Sequence, residues 1–502
     1  MKAEKEENIC IVIGSGIAGL AAAIRASKLG WKVRLFESNS YVGGKIAERK
    51  FNGFRFDIGP SVLTKPEYLK ELFDLYGKNI DEYISFEKLD PLFRFYFNNG
   101  TSIDTYSDPA KMLRELKEKT NEPVGNINKV LKDAKKIYQL THRVFLERSL
   151  HKIKNYFNRS TLRGILQFRK VRAFQTMHSY NRKNLRDERL VRIFDRYASY
   201  NGSNPFEAPG TLNVISHFEM NEGAYFPIGG MRKIIEGVLK LADECGVEIN
   251  SGEAVEEIVI EVGKVKGVKT AGNFIESSCV ICNTDIHLAY DKLLPVLNKN
   301  RHSLKQERSS SVIIFLWGLK ENISSINLHN TFFGDDDLTE YNAVFKDKTI
   351  CTDPSVYLYN SSSHNKEDAP IGKANWFVMV TAPCDEGQDW DSLIKVTRAQ
   401  IIKKLSVALN LDFEYLIEAE EVIDPRDIEV QTGSWKGSIY GNSSNGIFSA
   451  FLRHPNFIKG TKGLYFCGGS VHPGAGIPLC LLSAKIVAEL IEKDFKLKKK
   501  FN

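Results

Sequence analysis

The chain has 502 residues, of which 42% are hydrophobic and 26% are charged. This balance supports a large core and excludes a disordered or collagen-like chain. The formal net charge of +7 is too small over this length to indicate nucleic-acid binding. No apolar run in the sequence reaches the ~18 residues that a membrane-spanning helix needs.

The cysteines are too sparse for a disulfide framework, with eight in the chain. A reducing, cytoplasmic location is therefore expected. Cys279 and Cys282 form a CxxC pair, but residues 278–283 have the pattern of an apolar strand, and no second pair stands at zinc spacing. We interpret both as core cysteines and predict no metal site.

The first forty residues carry a dinucleotide-binding pattern. In chain order it consists of an apolar strand, a glycine-rich turn, a helix and a second strand that ends in an acid: Ile9–Ile13, then Gly14, Ser15, Gly16, Ile17, Ala18 and Gly19, then Leu20–Leu29, then Lys32–Phe36 with Glu37. Gly14 permits a tight turn, Gly16 permits close approach of a pyrophosphate, and Gly19 permits close packing of helix on strand. The carboxylate of Glu37 can accept hydrogen bonds from ribose hydroxyls, which disfavours NADP.

The stretch after Glu37 favours FAD over NAD. It begins at Ser38 and continues to a glycine pair, Gly43 and Gly44, followed by the cation Lys45. With the preceding pattern, it resembles the extended N-terminal signature of the flavoprotein superfamily that includes amine oxidases, protoporphyrinogen oxidase and carotenoid desaturases. Lys45 stands where many members have Arg, which keeps the charge but loses bidentate geometry. The resemblance implies that these residues bind FAD.

The same resemblance extends the cofactor site along the chain. It places the turn formed by Gly59, Pro60 and Ser61, which follows an expected strand over residues 51–57, close to the flavin. It also adds Val255, which lies in a β-branched stretch over residues 253–268 with a turn at Gly263.

The predicted fold class is α/β: a Rossmann-like FAD-binding domain of the amine oxidase and carotenoid desaturase type, an interleaved α+β substrate domain, and a helical membrane-facing region. We divide the chain into FAD-binding parts at residues 1–90, 221–285 and 441–502, a substrate or cap region at 91–220, and a substrate domain at 286–440. A hairpin is expected around Asn99 and Gly100, and helices are expected from Pro109 to Arg196.

A second glycine-rich turn lies near the C-terminus. A short strand leads into a turn, and a helix is expected from about Leu479 to Glu492; the turn contains Gly468, Gly469, His472, Pro473, Gly474, Ala475, Gly476, Ile477 and Pro478. A helix N-terminus that faces the flavin ring would stabilise negative charge on it. We therefore predict that Gly468, Gly469 and the last three residues of the turn contact the cofactor.

Residues 472–478 resemble the C-terminal flavin motif of the bacterial-type carotenoid desaturases, the phytoene desaturase family. Other stretches agree in the same order, so that the resemblance spans about residues 9–490: residues 225–231, 283–285, 328–335, 353–357, 369–372 and 375–377. Thr284 departs from the commoner Asn-Ala-Asp motif. Residues 477–483 look more like the branch that acts on hydroxylated carotenoids, the hydroxycarotenoid 3,4-desaturases.

The resemblance implies FAD-dependent insertion of a C=C bond into a polyene, with hydride transfer to the flavin and loss of a proton from the adjacent carbon. His472 is the candidate for proton transfer, although a structural role in the turn is favoured, and Asp57 is a weaker candidate. The expected electron acceptor is oxygen or a quinone, and the sequence does not indicate which. The alternatives are a phytoene desaturase, a saturase or isomerase of the same family, and a flavin-bearing carotenoid-binding protein.

The basic charge is concentrated in one segment, from Arg143 to Arg196, whose net charge is +11. Apolar and aromatic residues such as Phe157 and Phe168 alternate with these cations. Such a segment fits a helix that lies on an anionic membrane surface, and a solvated basic helix face is the alternative. No nucleic-acid-reading motif accompanies it. We therefore predict a cytoplasmic protein that associates peripherally with the membrane.

Overall fold

The computed structural model describes residues 8–149, 151, 171–295, 297 and 302–496. The strands are β1 (Ile9–Ile13), β2 (Lys32–Glu37), β3 (Glu48–Phe51), β4 (Phe54–Asp57), β5 (Phe86–Lys88), β6 (Phe93–Tyr96), β7 (Ser102–Thr105), β8 (Tyr225–Pro227), β9 (Glu248–Ser251), β10 (Val255–Glu261), β11 (Lys264–Thr270), β12 (Asn273–Glu276), β13 (Cys279–Cys282), β14 (Ser311–Leu319), β15 (His329–Phe332), β16 (Val356–Tyr359), β17 (Ala374–Ala382), β18 (Ile417–Ile423) and β19 (Leu464–Phe466).

Helices connect and cover these strands. The longer ones are α1 (Ile17–Lys28), α2 (Glu67–Asp74), α3 (Pro109–Lys119), α4 (Val124–Thr141), α5 (Met177–Asn184), α6 (Glu188–Asp195), α7 (Arg232–Glu244), α8 (Asp337–Asn342), α9 (Trp390–Leu409), α10 (Pro425–Thr432) and α11 (Ile477–Asp494). Short helical turns fill several connections, among them Arg196–Asn201 and His217–Glu222.

A five-stranded sheet in the order β19-β13-β1-β2-β9 carries the dinucleotide-binding pattern. Its strands pair in parallel throughout. The central strand β1 is buried on both faces, and the alanine-rich α1 packs closely against the sheet, as expected where helices cover a parallel sheet. The sheet draws strands from the N-terminal, middle and C-terminal parts of the chain, so it is complete only when β19 is in place.

The predicted strand, glycine turn, helix and second strand at the N-terminus are confirmed, with two differences in the wider cofactor region. Helix α1 begins at Ile17 rather than Leu20, because Gly16 already serves as its N-cap. The strand expected over residues 51–57 is the end of β3 followed by β4, since Asn52 and Gly53 adopt positive φ angles of 49° and 81° and form a hairpin turn. The predicted hairpin around Gly100 is confirmed as β6 and β7.

A seven-stranded mixed sheet in the order β18-β14-β17-β16-β15-β6-β7 forms the second layer. Alternate residues of β14 point to opposite faces. Phe315 and Trp317 pack with Trp390 of α9 on one side, whereas Ile314 and Leu316 join a cluster with the helical region on the other. The sheet is therefore buried on both faces, although most of its strands are antiparallel.

An ion-pair network fastens the hairpin β3–β4 to the helical turn at Lys366–Asp368 and to the start of α7. The guanidinium of Arg55 contacts Glu48 at 2.7 Å, Asp57 at 2.8 Å and Asp368 at 3.1 Å. Asp57 is 2% exposed and also accepts from the backbone N–H of Met231, 2.9 Å away, ahead of α7. Removal of the Asp57 carboxylate would leave the guanidinium of Arg55 inside the protein with one carboxylate fewer to balance its charge.

We expect Asp57→Ala to lower the free energy of unfolding by about 3 kcal/mol, because both an ion pair and a helix cap are lost. Urea denaturation followed by tryptophan fluorescence measures this loss. Asp336→Ala is the matched control: Asp336 caps α8 through Leu338 and Thr339 but is exposed, so about 1 kcal/mol is expected. Equal losses in the two variants would contradict a fastening role for Asp57.

Candidate functional site

The glycine-rich turn between β1 and α1 offers only backbone to a ligand. Gly14 has a φ of +92°, and a Cβ on Gly19 would lie 2.0 Å from the Gly14 carbonyl oxygen. A Cβ on Gly16 would lie 2.9 Å from Asn283 Oδ1, and one on Gly44 would lie 3.1 Å from the Gly16 Cα. Side chains are thus excluded from the N-terminal end of α1, whose N-cap makes no side-chain hydrogen bond. Helix N–H groups in such a position favour an anion.

Glu37 organises the turn and the loop that follows it. Its side chain accepts from the Ser15 backbone at 2.9 Å, from Ser15 Oγ at 2.6 Å and from the Asn39 backbone at 2.9 Å. The Ser15 hydroxyl in turn accepts from the Gly43 backbone at 3.1 Å. Ser38 Oγ also donates to the carboxylate, at 3.3 Å. A carboxylate has about four acceptor positions, and these four protein donors fill them, so Glu37 fixes the loop and a ribose hydroxyl would replace one of the four.

Asn283 is a site residue that sequence reasoning missed. Its Oδ1 accepts from the Gly19 backbone at 3.0 Å, its Nδ2 donates to the Cys467 carbonyl at 3.0 Å, and its backbone N–H donates to the Ile13 carbonyl at 2.8 Å. A signal was present, since Asn283 directly follows β13, and polar residues at the carboxyl ends of parallel strands line ligand sites.

Lys45 follows the glycine pair of the same site and has an exposed side chain. Its ammonium donates to the Ile439 carbonyl at 2.7 Å. The side chain is exposed, but crowding by the surrounding protein atoms lowers the pKa of Lys45 to about 8, and Asp285 offsets part of this effect. Asp285 is itself paired with Arg308 at 2.5 Å. The cation is thus positioned for an anionic ligand.

The turn at Gly59, Pro60 and Ser61 packs directly on this region. A Cβ on Gly59 would lie 1.7 Å from the Lys45 carbonyl oxygen. Ser61 Oγ forms a hydrogen bond of 2.7 Å with the hydroxyl of Tyr357, on β16 of the second sheet. Val255 starts β10, two residues after Glu253, whose backbone N–H donates to the Glu37 carbonyl at 2.9 Å.

The C-terminal turn approaches the same point from the other side. A Cβ on Gly468 would lie 2.4 Å from Asn283 Nδ2, and one on Gly469 would lie 3.0 Å from the Ala475 Cβ. Gly476, with a φ of +103°, is the N-cap of α11, and Ile477 and Pro478 form its first turn. No side chain caps this helix through a hydrogen bond, so its first N–H groups remain available to an acceptor.

His472 is buried behind this turn. Its Nε2 lies 2.8 Å from the Arg148 carbonyl oxygen, which can only accept, so Nε2 carries the proton. Its own carbonyl accepts from Asn456 at 2.8 Å and from Ser483 at 2.9 Å. Burial lowers the pKa of His472 to about 3, and the imidazole is therefore neutral at ordinary pH.

The residues present fit FAD. Backbone-only turns where a Cβ would collide provide close approach for phosphates, and the Glu37 carboxylate stands at the end of β2, where this fold places the acid that meets a ribose. Cys279 and Cys282 are both fully buried in β13, and Cys279 faces the thiol of Cys10 at 3.6 Å. Across the described ranges, His, Cys, Asp and Glu side chains form no cluster of three or more that could hold a metal ion.

Comparisons with known proteins agree with this geometry. The model of the flavin containing amine oxidoreductases matches residues 17–492. The 1-hydroxycarotenoid 3,4-desaturase of Flavobacterium sp. (strain P99-3) is 41% identical, over 96% of this chain and 98% of the relative. The phytoene desaturase of Fusarium fujikuroi is 30% identical, over 96% of this chain and 89% of the relative.

Among solved structures, cyclohexylamine oxidase from Brevibacterium oxydans IH-35A superimposes with a TM-score of 0.60 and 12% identity, over 98% of this chain and all of that chain. This likeness bears on the fold alone, and the predicted α/β flavoprotein fold is confirmed. The prediction of FAD as cofactor is confirmed by the family match. The chain therefore belongs to the flavin-containing amine oxidoreductase family of FAD-dependent enzymes and, within it, to the carotenoid desaturases.

Proposed function

We propose that the protein is a carotenoid desaturase that introduces a C=C bond at the 3,4-position of a 1-hydroxycarotenoid. The observation that carries this proposal is the 41% identity to the Flavobacterium desaturase over nearly the whole of both chains. FAD supplies the two-electron acceptor for such a reaction. The protein's own residues bind that cofactor, hold the polyene against it and keep water away.

Apolar side chains between the seven-stranded sheet and the helices that pack on it support the proposal of a long apolar substrate. Several apolar side chains there pack against the buried cluster but remain partly exposed: Ile58, Val62, Leu131, Leu212, Ile215 and Ile439. Ile58 and Val62 flank the turn at Gly59, Pro60 and Ser61. An apolar wall that continues from the cofactor turn is the surface that a polyene requires.

We propose that His472 positions the C-terminal turn. A neutral imidazole with a pKa near 3 is a weak base. The hydrogen bonds of its ring and its carbonyl join residues 148, 456 and 483 to the turn. This arrangement supports the structural role over proton transfer.

Product analysis tests the proposed reaction. The FAD-loaded enzyme is mixed without oxygen with a 1-hydroxycarotenoid in detergent micelles. We expect bleaching of the flavin absorbance and a product that has lost two hydrogens, with the new double bond at the 3,4-position. Turnover of phytoene alone would identify a phytoene desaturase. A product of unchanged mass or with added hydrogens would identify an isomerase or a saturase, and binding without bleaching would identify a carrier.

We propose that Lys45 contacts the anionic part of FAD, and pH tests this. The anionic part of FAD favours the charged ammonium of Lys45. Above pH 8, where Lys45 of the FAD-free protein has lost its proton, binding of FAD is therefore coupled to uptake of a proton. FAD affinity must therefore fall as pH rises through about 8. We expect the Kd from equilibrium dialysis to rise about fivefold between pH 7 and pH 9. Lys45→Arg should remove the pH dependence, because guanidinium stays charged. A flat Kd in the wild type would exclude this contact.

We also propose that the basic segment from Arg143 to Arg196 docks on an anionic membrane. The structure shows which of its cations have partners within the protein. Residues 150 and 152–170 lie outside the described residues. Beyond them, Arg172 pairs with Asp133 at 2.9 Å and Arg192 with Asp337 at 2.5 Å. Arg196 is packed inside the protein, with 10% of its side chain exposed. These three arginines at the C-terminal end of the segment therefore have partners within the protein, and the proposal rests on residues 152–170. Within the described ranges, the helices are too short or too polar to cross a membrane.

Charge reversal at Arg169 and Lys170 tests this docking. We expect the double change to Glu to lower the affinity for phosphatidylserine-containing vesicles, measured by co-sedimentation, about thirtyfold, at ~1 kcal/mol for each of the two cations lost near the surface. The control reverses Lys395 and Lys403, which are exposed on α9, and should bind like the wild type. Equal binding by all three proteins would refute a membrane role for this segment.

A further inference from the structure

A row of hydrogen-bonded polar groups crosses the apolar wall next to the cofactor turn. Ser61 Oγ lies 2.7 Å from the hydroxyl of Tyr357, and that hydroxyl lies 2.8 Å from Nδ1 of His329. Ser61 and Tyr357 are partly exposed, whereas His329 is 1% exposed. The row thus begins at the turn that follows β4 and ends within the second sheet, on β15.

The row carries no charge. Burial lowers the pKa of His329 well below its ordinary value and raises the pKa of Tyr357. The His329 ring is held by stacking on Phe93, with ring centroids 4.8 Å apart. The imidazole is therefore neutral and fixed, and its Nδ1 is either a donor or an acceptor towards Tyr357.

Because the three groups are neutral, the hydrogen bonds along the row can all point towards His329 or all point towards Ser61. When Tyr357 donates to His329, Ser61 donates to Tyr357 and presents lone pairs. When His329 donates to Tyr357, Tyr357 donates to Ser61, and the Ser61 hydroxyl is free to donate. A ligand hydroxyl, which is both donor and acceptor, matches either arrangement, whereas a hydrocarbon end leaves the exposed end of the row unpaired, at a cost of about 1 to 3 kcal/mol.

Charged groups stand behind this row rather than in it. The guanidinium of Arg196 lies over Phe93, 4.2 Å from the ring centroid. Glu219, which is fully buried, lies 3.6 Å from Arg196 and accepts from the hydroxyls of Tyr197 at 2.7 Å and Tyr200 at 2.6 Å. The hydroxyls of Tyr197 and Tyr200 are thus committed to Glu219, whereas Ser61 and Tyr357 are partly exposed at this wall and can reach a ligand.

We propose that Ser61 and Tyr357 bind the hydroxyl group of the carotenoid and that His329 positions Tyr357; this inference rests on the proposed function. Two carbon–carbon bonds separate C1, which bears the hydroxyl, from C3, the nearer reacting carbon. A group that holds the hydroxyl must therefore lie close to the reacting bond. Ser61 satisfies this because it belongs to the turn assigned to the flavin. The hydroxyl contact sets both substrate choice and the bond that is desaturated.

Competing substrates test the assignment. Detergent-solubilised, FAD-loaded enzyme receives a 1-hydroxycarotenoid and, separately, the same polyene without the hydroxyl. We expect Ser61→Ala and Tyr357→Phe to lower the ratio of the two kcat/KM values about tenfold or more, mainly through KM for the hydroxylated substrate. Ser61→Thr, which keeps a hydroxyl, should restore the ratio. His329→Phe should shift the ratio in the same direction. The variants should also broaden the position of the new double bond.

Tyr96→Phe is the matched control, because Tyr96 lies on β6 of the same sheet and donates to the Ser325 carbonyl, away from the row. An unchanged ratio in Ser61→Ala and Tyr357→Phe, or an equal loss on both substrates, would overturn the assignment. If Tyr357→Phe fails to retain FAD, the Ser61→Ala and Ser61→Thr pair decides. A wild-type enzyme that shows no preference between the substrates would refute the hydroxycarotenoid function itself, which is a separate result.

Discussion

The side-chain amide of Asn283 is the point on which the cofactor domain depends. Its oxygen binds the start of α1, its nitrogen binds the end of β19, and its backbone continues the contact with β1. These partners lie 264 and 184 positions away in sequence. An amide is suited to this place because it has both donor and acceptor groups without charge, and so it satisfies two backbone groups of opposite polarity next to an anionic ligand.

Because Asn283 joins strands from three distant parts of the chain, the remaining segments form insertions between the strands of the five-stranded sheet. The parallel order β19-β13-β1-β2-β9 requires the chain to leave the sheet after β2 and after β13 and then to return. Both excursions contribute strands to the seven-stranded sheet: β6 and β7 come from the first and β14 to β18 from the second. The substrate wall therefore forms only when both insertions meet, and the Arg55 network fastens them to the cofactor domain.

Local features of the site could be predicted from the sequence, and long-range ones could not. The turn at Gly14, Gly16 and Gly19, with Glu37 after β2, is encoded within one strand–helix–strand unit. Gly14 is required by its positive φ, Gly16 by the approach of Asn283 Oδ1, and Gly19 by the approach of the Gly14 carbonyl oxygen. The bond between Ser61 and Tyr357 joins residues 296 positions apart, and no periodicity indicates such a pair. In the sequence, Asn283 is a polar residue after a strand and part of a motif shared with the family, and neither feature indicates its contacts with α1 and β19.

One cation of the basic segment, Arg196, lies inside the protein and not on its surface. Arg196 counts as one more cation of the basic segment when the sequence is read linearly. In the fold it lies over aromatic rings, beside a fully buried carboxylate. Composition cannot separate a surface cation from one that a carboxylate and aromatic faces stabilise in the interior, because the partners of Arg196, Phe93 and Glu219, come from other parts of the chain.

The distribution of charge around the substrate wall follows from the cost of burying ions. A charged group in direct contact with an apolar polyene would lose its hydration without a partner, at a cost of several kcal/mol. In this protein the ion pair of Arg196 and Glu219 stands one layer behind the wall, where aromatic faces and tyrosine hydroxyls stabilise it. The groups at the wall, Ser61 and Tyr357, are neutral hydroxyls. A hydroxyl can be recognised there without repelling the hydrocarbon on either side of it, which is the physical requirement for selecting one polar atom on a long apolar molecule.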